Sequence, residues 1–259
     1  MAYFTLGYKF PDFIATRLFG DRQKFGLDVN YNDSCWKEWE RYYLDFYYSN
    51  QKQSIGKIVN QAGYKIMRHV DLSNKKILEL GPGDIDHIQY WLNRPKSYVI
   101  GDIQEEMLER SSNKLAANEI SCEARLLQKN NFRLPFADNE FDIIISFYSL
   151  EHLMPLKPYL VEMKRILKNY GLLVGAIPAE GGLAWGLGRY FTSRKWLKKN
   201  TKINPDKIIC WEHPNFADYI LKCLDAYFNK KLLQFWPLNG HIVDANLIIK
   251  FIYTKNESI

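Results

Sequence analysis

Apolar positions along the chain keep two different periods, and the change falls near residue 75. Before it, Trp36, Trp39, Tyr43, Phe46 and Tyr47 recur at spacings of three and four, with Lys37, Glu38, Arg41 and Asp45 between them. That is the stripe of an amphipathic helix. Ile55, Ile58, Val59, Ala62 and Ile66 repeat the spacing, with Ser54 placed to cap the helix. After Lys76, short apolar runs alternate with helical stripes. Ile77 to Leu80, Tyr98 to Gly101, Ala124 to Leu127, Ile143 to Phe147 and Leu172 to Ile177 read as strands bounded by Gly, Pro, Asn or Asp. Their near-continuous hydrophobicity predicts burial on both faces. Between the last two, Leu156, Leu160, Met163 and Leu167 form one helical stripe, opened by Pro155 and closed by Gly171. Leu232 to Pro237 and Ala245 to Thr254 read as two further strands.

Strands that alternate with helices predict an α/β fold with a doubly wound, mostly parallel sheet. In such a sheet the ligand lies at the carboxyl ends of the strands, near the switch point, so the chemistry is sought just after each strand. No repeat or linker divides the chain. Residues 1–74 are expected as an N-terminal helical cap or lid, and residues 75–259 as the ligand-binding domain.

Composition narrows this only a little. A length of 259 residues suits one large domain with an appendage, and 47% apolar residues exclude a disordered chain. The apolar runs are too short and too interrupted for a spanning helix. The start, MAYFTLGYKFPDF, lacks a basic, apolar and small-residue sequence of regions, so the expected location is the cytoplasm. Cys35, Cys122, Cys210 and Cys223 are far apart and form no metal-ligand spacing, so they are expected reduced and mostly buried, with no zinc site. The net charge of +6 permits an anionic substrate without demanding nucleic acid. The one dense basic stretch, Arg194, Lys195, Lys198, Lys199 and Lys202, reads as a solvated face.

The first strand runs into Glu79-Leu80-Gly81-Pro82-Gly83-Asp84-Ile85-Asp86, a tight glycine turn where backbone can approach a ligand. A dinucleotide site would have Gly at 86 and would avoid negative charge beside a pyrophosphate. Position 86 is Asp, and Glu79 and Asp84 make the turn more acidic. Such a turn suits a ligand carrying an ammonium and a sulfonium, which points to S-adenosylmethionine rather than NAD. The second strand ends at Asp102, 21 residues after Gly81, where a carboxylate could accept both ribose hydroxyls. Asp102 and Glu105 also fit a helix-capping pattern, a bland alternative for the same residue.

These residues resemble class I S-adenosylmethionine-dependent methyltransferases of the broad small-molecule group called type 11. The resemblance spans roughly residues 75 to 178 and rests on four ordered motifs: ILELGPGD at 77–84, VIGDIQEEML at 99–108, LPFADNEFDIIISFYSLEHL at 134–153 and LKNYGLLVGAIP at 167–178. It implies a Rossmann-like sheet of seven strands, the last two antiparallel. It also implies that Glu79, Gly81, Pro82 and Gly83 line the methionine and ribose portion, that Asp102 holds the ribose and that Ile103 packs on the adenine. Met107, Asn131 and Phe147 join the implied cofactor set. Two positions depart from the pattern. Ile85 stands where the family often has a third glycine, so the turn is expected to take a different shape and its helix to start late. Asn130 stands where an Asp often takes the adenine amino group.

Methyl transfer from a sulfonium needs mainly alignment and dry surroundings. A hydroxyl acceptor benefits from a base, and His152, just after the fourth strand, is the best-placed candidate, with Glu151 beside it. The alternative for His152 is an imidazole packed under the cofactor. His213 and His241 have less positional support, and His69 and His87 read as structural or exposed. The glycine-rich segment from Pro178 to Tyr190 is expected to form a mobile wall of the acceptor site, with Glu180, Trp185 and Arg189 as contacts. Trp211-Glu212-His213-Pro214 and the helix with Trp36 and Trp39 would complete a lid, although aromatics at helical spacing are more often core. The favoured acceptor is a small or medium polar molecule, such as a sugar or glycan hydroxyl. The competing readings are an RNA methyltransferase using the 194–202 stretch and a cofactor-binding scaffold without turnover.

Overall fold

The computed structural model describes residue 3 and residues 5–46, 54–129 and 131–256. Tyr47 and Asn130 lie outside the described residues. The chain opens with helices α1 (Asp12–Phe19), α2 (Arg22–Phe25), α3 (Ser34–Phe46) and α4 (Ser54–Tyr64). It continues as β1 (Lys76–Leu80), β2 (Ser97–Asp102), α5 (Glu105–Ala116), β3 (Cys122–Leu126), β4 (Phe141–Phe147), α6 (Leu156–Ile166) and β5 (Leu167–Pro178). Then follow α7 (Leu183–Phe191), α8 (Ser193–Asn200), α9 (Pro205–Glu212), α10 (Ala217–Tyr227), β6 (Asn229–Trp236) and β7 (Ile248–Thr254).

The seven strands form one sheet in the order β3-β2-β1-β4-β5-β7-β6. β1 to β5 pair in parallel, and β7 runs antiparallel to both β5 and β6. Alternation along each strand divides the core in two. Ile77, Ile100, Ile143, Ile145 and Val174 face one side, where Val59 and Tyr64 of α4 and Leu108 and Leu115 of α5 cover them. Leu78, Leu80, Ile144, Leu173 and Phe251 face the other, under Leu160 and Met163 of α6 and Ile220 and Leu224 of α10. Helices on both faces make the fold doubly wound, and each such aliphatic side chain, fully buried, contributes about 1.5 to 3 kcal/mol. The winding reverses between β1 and β4, which is the switch point.

Five details differ from the sequence-based expectation, each for a local reason. β3 is an edge strand paired only with β2, and Glu123 to Leu126 are exposed, so it is not buried on both faces. α6 ends at Ile166 rather than at Gly171, because Leu167 already pairs with Phe141 and opens β5. Between β1 and β2 the described residues hold a short 3-10 turn, Ile88–Tyr90, and no α-helix. Ile85, fully buried, sits in the left-handed region at φ 47°, so a β-branched side chain occupies the conformation a glycine would take. Last, the glycines after β5 serve close packing rather than a mobile wall. Residues from Leu183 are helical, and a Cβ at Gly186 would come within 2.8 Å of Phe19, and one at Gly181 within 2.7 Å of Phe216.

The expected N-terminal cap is not all of one kind. α4 packs on β5 and β7 as part of the sheet's helical layer. α3 instead joins α8 and α9 in a separate aromatic cluster of Trp36, Trp39, Phe46, Leu197, Ile208 and Trp211. All four cysteines are free; Cys210 and Cys223 are buried, Cys35 and Cys122 half-buried. In the basic stretch Arg194 is buried against Asp206 at 2.6 Å, while Lys195, Lys198, Lys199 and Lys202 are exposed. No helix among the described residues is long and apolar enough to cross a membrane.

Candidate active site

The turn after β1 is built for close approach. Gly81 and Gly83 both take positive φ, 67° and 57°. A Cβ on Gly81 would lie 3.0 Å from Ser149, so the absence of a side chain lets the β1 turn touch the segment after β4. Gly81 N–H donates to Gly101 O at 2.9 Å, and Ser149 Oγ reaches Leu80 O at 3.3 Å, tying the ends of β1, β2 and β4 together. Pro82 is buried in this turn.

Glu79 does not point at an open ligand position. Its carboxylate is fully buried and holds His87 Nε2 at 2.8 Å and the Tyr98 hydroxyl at 2.5 Å, while Trp91 Nε1 donates to His87 Nδ1 at 2.8 Å. The chain Trp91, His87, Glu79, Tyr98 satisfies the buried polar groups beneath the turn, so Glu79 fixes the backbone there and does not face a ligand directly. His87 is therefore a core residue, whereas His69 is exposed and His241 rests its ring on Phe235.

Asp102, at the end of β2, is different. Its Oδ1 accepts the Gln104 N–H at 2.9 Å, and no side chain among the described residues pairs with it. Helix α5 begins at Glu105 with Gln104 at its N-cap, so Asp102 does not cap the helix. Burial pushes its pKa up to about 6, against the pull of the Gln104 and Ile103 N–H groups. Beside it, Ile103 is 46% exposed, an apolar side chain with nothing over it. Met107 and Phe147 are each 5% exposed and lie within the core beneath this edge. Asn131 is exposed and used locally: its Oδ1 accepts the Arg133 N–H at 3.1 Å. Asn130 is outside the described residues. A carboxylate without a side-chain partner, an uncovered apolar residue and a turn open to close approach fit the ribose, adenine and methionine parts of S-adenosylmethionine.

After β4 the chemistry becomes dense. Tyr148 takes φ 54°, unusual for a bulky residue, and its hydroxyl bonds Asn60 O at 2.8 Å, which fixes α4 against this corner. Glu151 and His152 follow in a 3-10 turn, Leu150–His152. Glu151 is 2% exposed, its Oε2 has no partner, and burial pushes its pKa up to about 7 despite the pull of His152. His152 is 36% exposed, with Nδ1–H directed at the Glu212 carbonyl and 3.5 Å from Glu212 Oε2. Desolvation would lower its pKa, but Glu151 and Glu212 outweigh that and hold it above the ordinary histidine value.

The residues after β5 and α9 close on this point. Glu180 is fully buried and accepts both terminal nitrogens of Arg189 and Trp185 Nε1 at 2.9 Å. Burial alone would raise the Glu180 pKa, and the Arg189 guanidinium overrides it and holds the carboxyl well below its usual range. His213 adds little to that, because burial and Arg189 bring its own pKa down to about 4 and leave the ring neutral. Its Nδ1 lies 3.1 Å from Glu180 Oε2 but out of line for a hydrogen bond. The loop carrying His213 is stitched in place: Arg22 donates to the His213 and Pro214 carbonyls at 2.7 and 2.9 Å, and Asn215 donates to Leu150 O and Leu153 O at 3.1 and 2.7 Å. The result sets the His152 and His213 ring centres 4.8 Å apart, with the ring planes tilted by 59°.

Of the expected acceptor contacts, then, Glu180, Trp185 and Arg189 are engaged with one another, and His213 stands beside His152. Trp36 lies in the aromatic cluster, and Trp39 reaches the site by donating from Nε1 to Glu212 Oε1. Glu212 is the residue that sequence reasoning passed over. Its only signal was its place between Trp211 and His213, in a Trp-Glu-His-Pro run. Two surface hollows, one lined by Phe132, Val161 and Tyr227 and the other by Asp84, Asp86 and Arg110, contain neither Asp102 nor His152. The strand-end chemistry, and not these hollows, marks the site.

Comparison with known proteins bears on the family and the fold. Residues 78–175 match a family described as a methyltransferase domain. A ubiquinone/menaquinone biosynthesis C-methyltransferase, UbiE, of Shewanella sp. strain ANA-3 is 32% identical over 102 residues, 38% of this chain and 41% of that protein. The chain thus spans about two fifths of the length of the curated relatives it matches. Among solved structures, the PH0226 protein of Pyrococcus horikoshii OT3 has a TM-score of 0.56 at 18% identity, covering 83% of this chain and 99% of its own. An S-adenosylmethionine-dependent methyltransferase of Mesorhizobium loti gives 0.51 at 16% identity, covering 79% and 100%. At such identities these likenesses concern the fold.

Proposed function

Residues 78–175 form a class I S-adenosylmethionine-dependent methyltransferase domain, and from that premise we propose that the protein transfers the methyl group of S-adenosylmethionine to a hydroxyl of a small or medium polar acceptor, a sugar or glycan being the preferred class. The observation that carries this reading is the contact between Gly81 and Ser149, which sets the ligand turn of β1 against the segment leading to Glu151 and His152. Asp102 holds the ribose hydroxyls, Ile103 covers the adenine, and the sulfonium lies toward the end of β4. The acceptor oxygen attacks the methyl carbon in line, the carbon–sulfur bond breaks with its electron pair going to sulfur, and the hydroxyl proton passes to His152. Its Nε2 has no protein partner among the described residues and is free to take it.

The family match ends at residue 175, before Glu180, Glu212 and His213. The acceptor named for the UbiE relatives is therefore not carried over, and the preference for a polar acceptor rests on the charged cluster itself. Incubating the protein with a cell extract and isotopically labelled S-adenosylmethionine, followed by mass spectrometry, tests the reading. A labelled small polar product supports it. Label found only in RNA or only in an apolar, carbon-methylated product would replace it.

A further inference from the structure

His152 and His213 come from segments 61 residues apart, and Glu212 precedes His213 in the chain. One nitrogen of each ring and one oxygen of Glu212 nonetheless lie within 4.8 Å of one another. Two imidazoles and one carboxylate are a donor set suited to zinc, manganese or ferrous iron, with positions left open for an exogenous ligand. Hydrogen-bonding partners hold His152 and Glu212, and a carboxylate stands beside His213 without a hydrogen bond to it. The His152 Nδ1–H is directed at the Glu212 carbonyl, Glu180 Oε2 stands 3.1 Å from His213 Nδ1, and Trp39 Nε1 donates to Glu212 Oε1. Carboxylates and carbonyls behind imidazoles, and a donor behind the carboxylate, are the outer arrangement that fixes ring orientation at metal sites. Next to the cluster, Glu151 is 2% exposed and its Oε2 has no partner, a second polar atom without a use inside the fold.

We propose that His152, Glu212 and His213 bind one divalent transition-metal ion at the carboxyl edge of β4. The site stands apart from the methyl-transfer reading; only its use rests on that reading. There, the ion takes the acceptor hydroxyl oxygen as an open ligand and lowers its proton affinity. The oxygen then attacks the methyl carbon, the sulfur leaves with the bonding pair, and the proton goes to water. With the ion bound, the metal and water take over the proton-accepting role that His152 has in the metal-free site.

The test uses full-length, tag-free, metal-stripped protein titrated with Co²⁺ and followed by visible absorption, with Zn²⁺ calorimetry in parallel. One ion per chain is expected, with a cobalt d–d spectrum of nitrogen and oxygen ligation. His213→Ala and Glu212→Gln should each abolish stoichiometric binding, and Trp39→Phe should weaken it about 10- to 100-fold, the usual effect of losing an outer partner. S-adenosylmethionine affinity and circular dichroism, measured on the same samples, report that each variant is folded. Wild-type protein that takes up neither ion stoichiometrically, or folded Glu212→Gln and His213→Ala variants that bind as the wild type does, would overturn the proposal. Metal binding without any methyl transfer would leave the site standing and remove only its assigned use.

Discussion

Asp102 ends β2 and Glu180 lies two residues past the end of β5, at the same edge of the sheet, yet their surroundings are opposite. Asp102 has no side-chain partner, and burial alone lifts its pKa to about 6. Glu180 is more deeply buried, but Arg189 and Trp185 take up its oxygens and keep it ionised. A carboxylate matched inside the chain is support for the site, whereas one left unmatched at a strand end is available to a ligand. The cofactor half and the acceptor half of the edge are therefore built differently. The first buries Glu79 in a network beneath its turn and leaves Asp102 at the strand end without a side-chain partner among the described residues, and the second locks Glu180 and Arg189 together beside Glu151, His152 and His213.

That contrast can be broken at either end, and the largest effect belongs to Glu180. Glu180→Ala strands the buried Arg189 guanidinium, so denaturant unfolding should show a loss of about 3 to 5 kcal/mol. A variant as stable as the wild type would mean that Glu180 faces a ligand and not Arg189. Next comes His152→Ala. Turnover should fall about 10²-fold with cofactor affinity and Tm nearly unchanged. A loss confined to acceptor KM would make His152 a positioning contact, and a collapse of Tm would make it a packed imidazole.

Asp102→Ala should weaken S-adenosylmethionine binding by about 1 to 3 kcal/mol. Tm at neutral pH should not fall, because the buried, ionised carboxylate gives the ligand-free fold nothing there. A Tm loss with affinity unchanged would return Asp102 to a structural role. The smallest effect is on pH. In the folded chain Asp102 takes up a proton as pH falls through about 6, while unfolded it stays ionised down to about 4. The native state thus binds more protons in that window, so this group favours folding increasingly as pH drops from 6 to 4. Cofactor binding, which needs the ionised carboxylate, should weaken over the same range. Calorimetry at pH 5, 6 and 7 should show that slope in the wild type and a flat line in Asp102→Asn.

The sheet was legible in the sequence because its central strands are buried on both faces and so read as uninterrupted apolar runs. β3 read the same way although it is an exposed edge, since hydrophobicity alone does not tell edge from centre. A candidate cofactor end could be proposed from the sequence because its residues follow one another within two short stretches, 79–86 and 102–103. The acceptor end was legible only in pieces. His152 could be placed from the end of β4, but its neighbours Glu212 and His213 arrive through α9 and a loop held by Arg22 and Asn215, contacts with a sequence separation of 60 to 192 residues. Glu180 and Arg189 are only nine residues apart, yet they read as polar handles because nothing in the sequence shows that the turn after β5 folds one onto the other. The glycines of 181–188 read as flexible because sequence does not reveal the phenylalanines, Phe19 and Phe216, that pack against two of them.

The central claim is that the β1–β2 end of the sheet is built for S-adenosylmethionine. Titration calorimetry of the full chain with S-adenosylmethionine, its demethylated product and NAD tests it most directly. One site per chain for each of the first two ligands, weakened together by Asp102→Ala, and no heat with NAD is the expected result. Tight binding of NAD with no response to S-adenosylmethionine would contradict it.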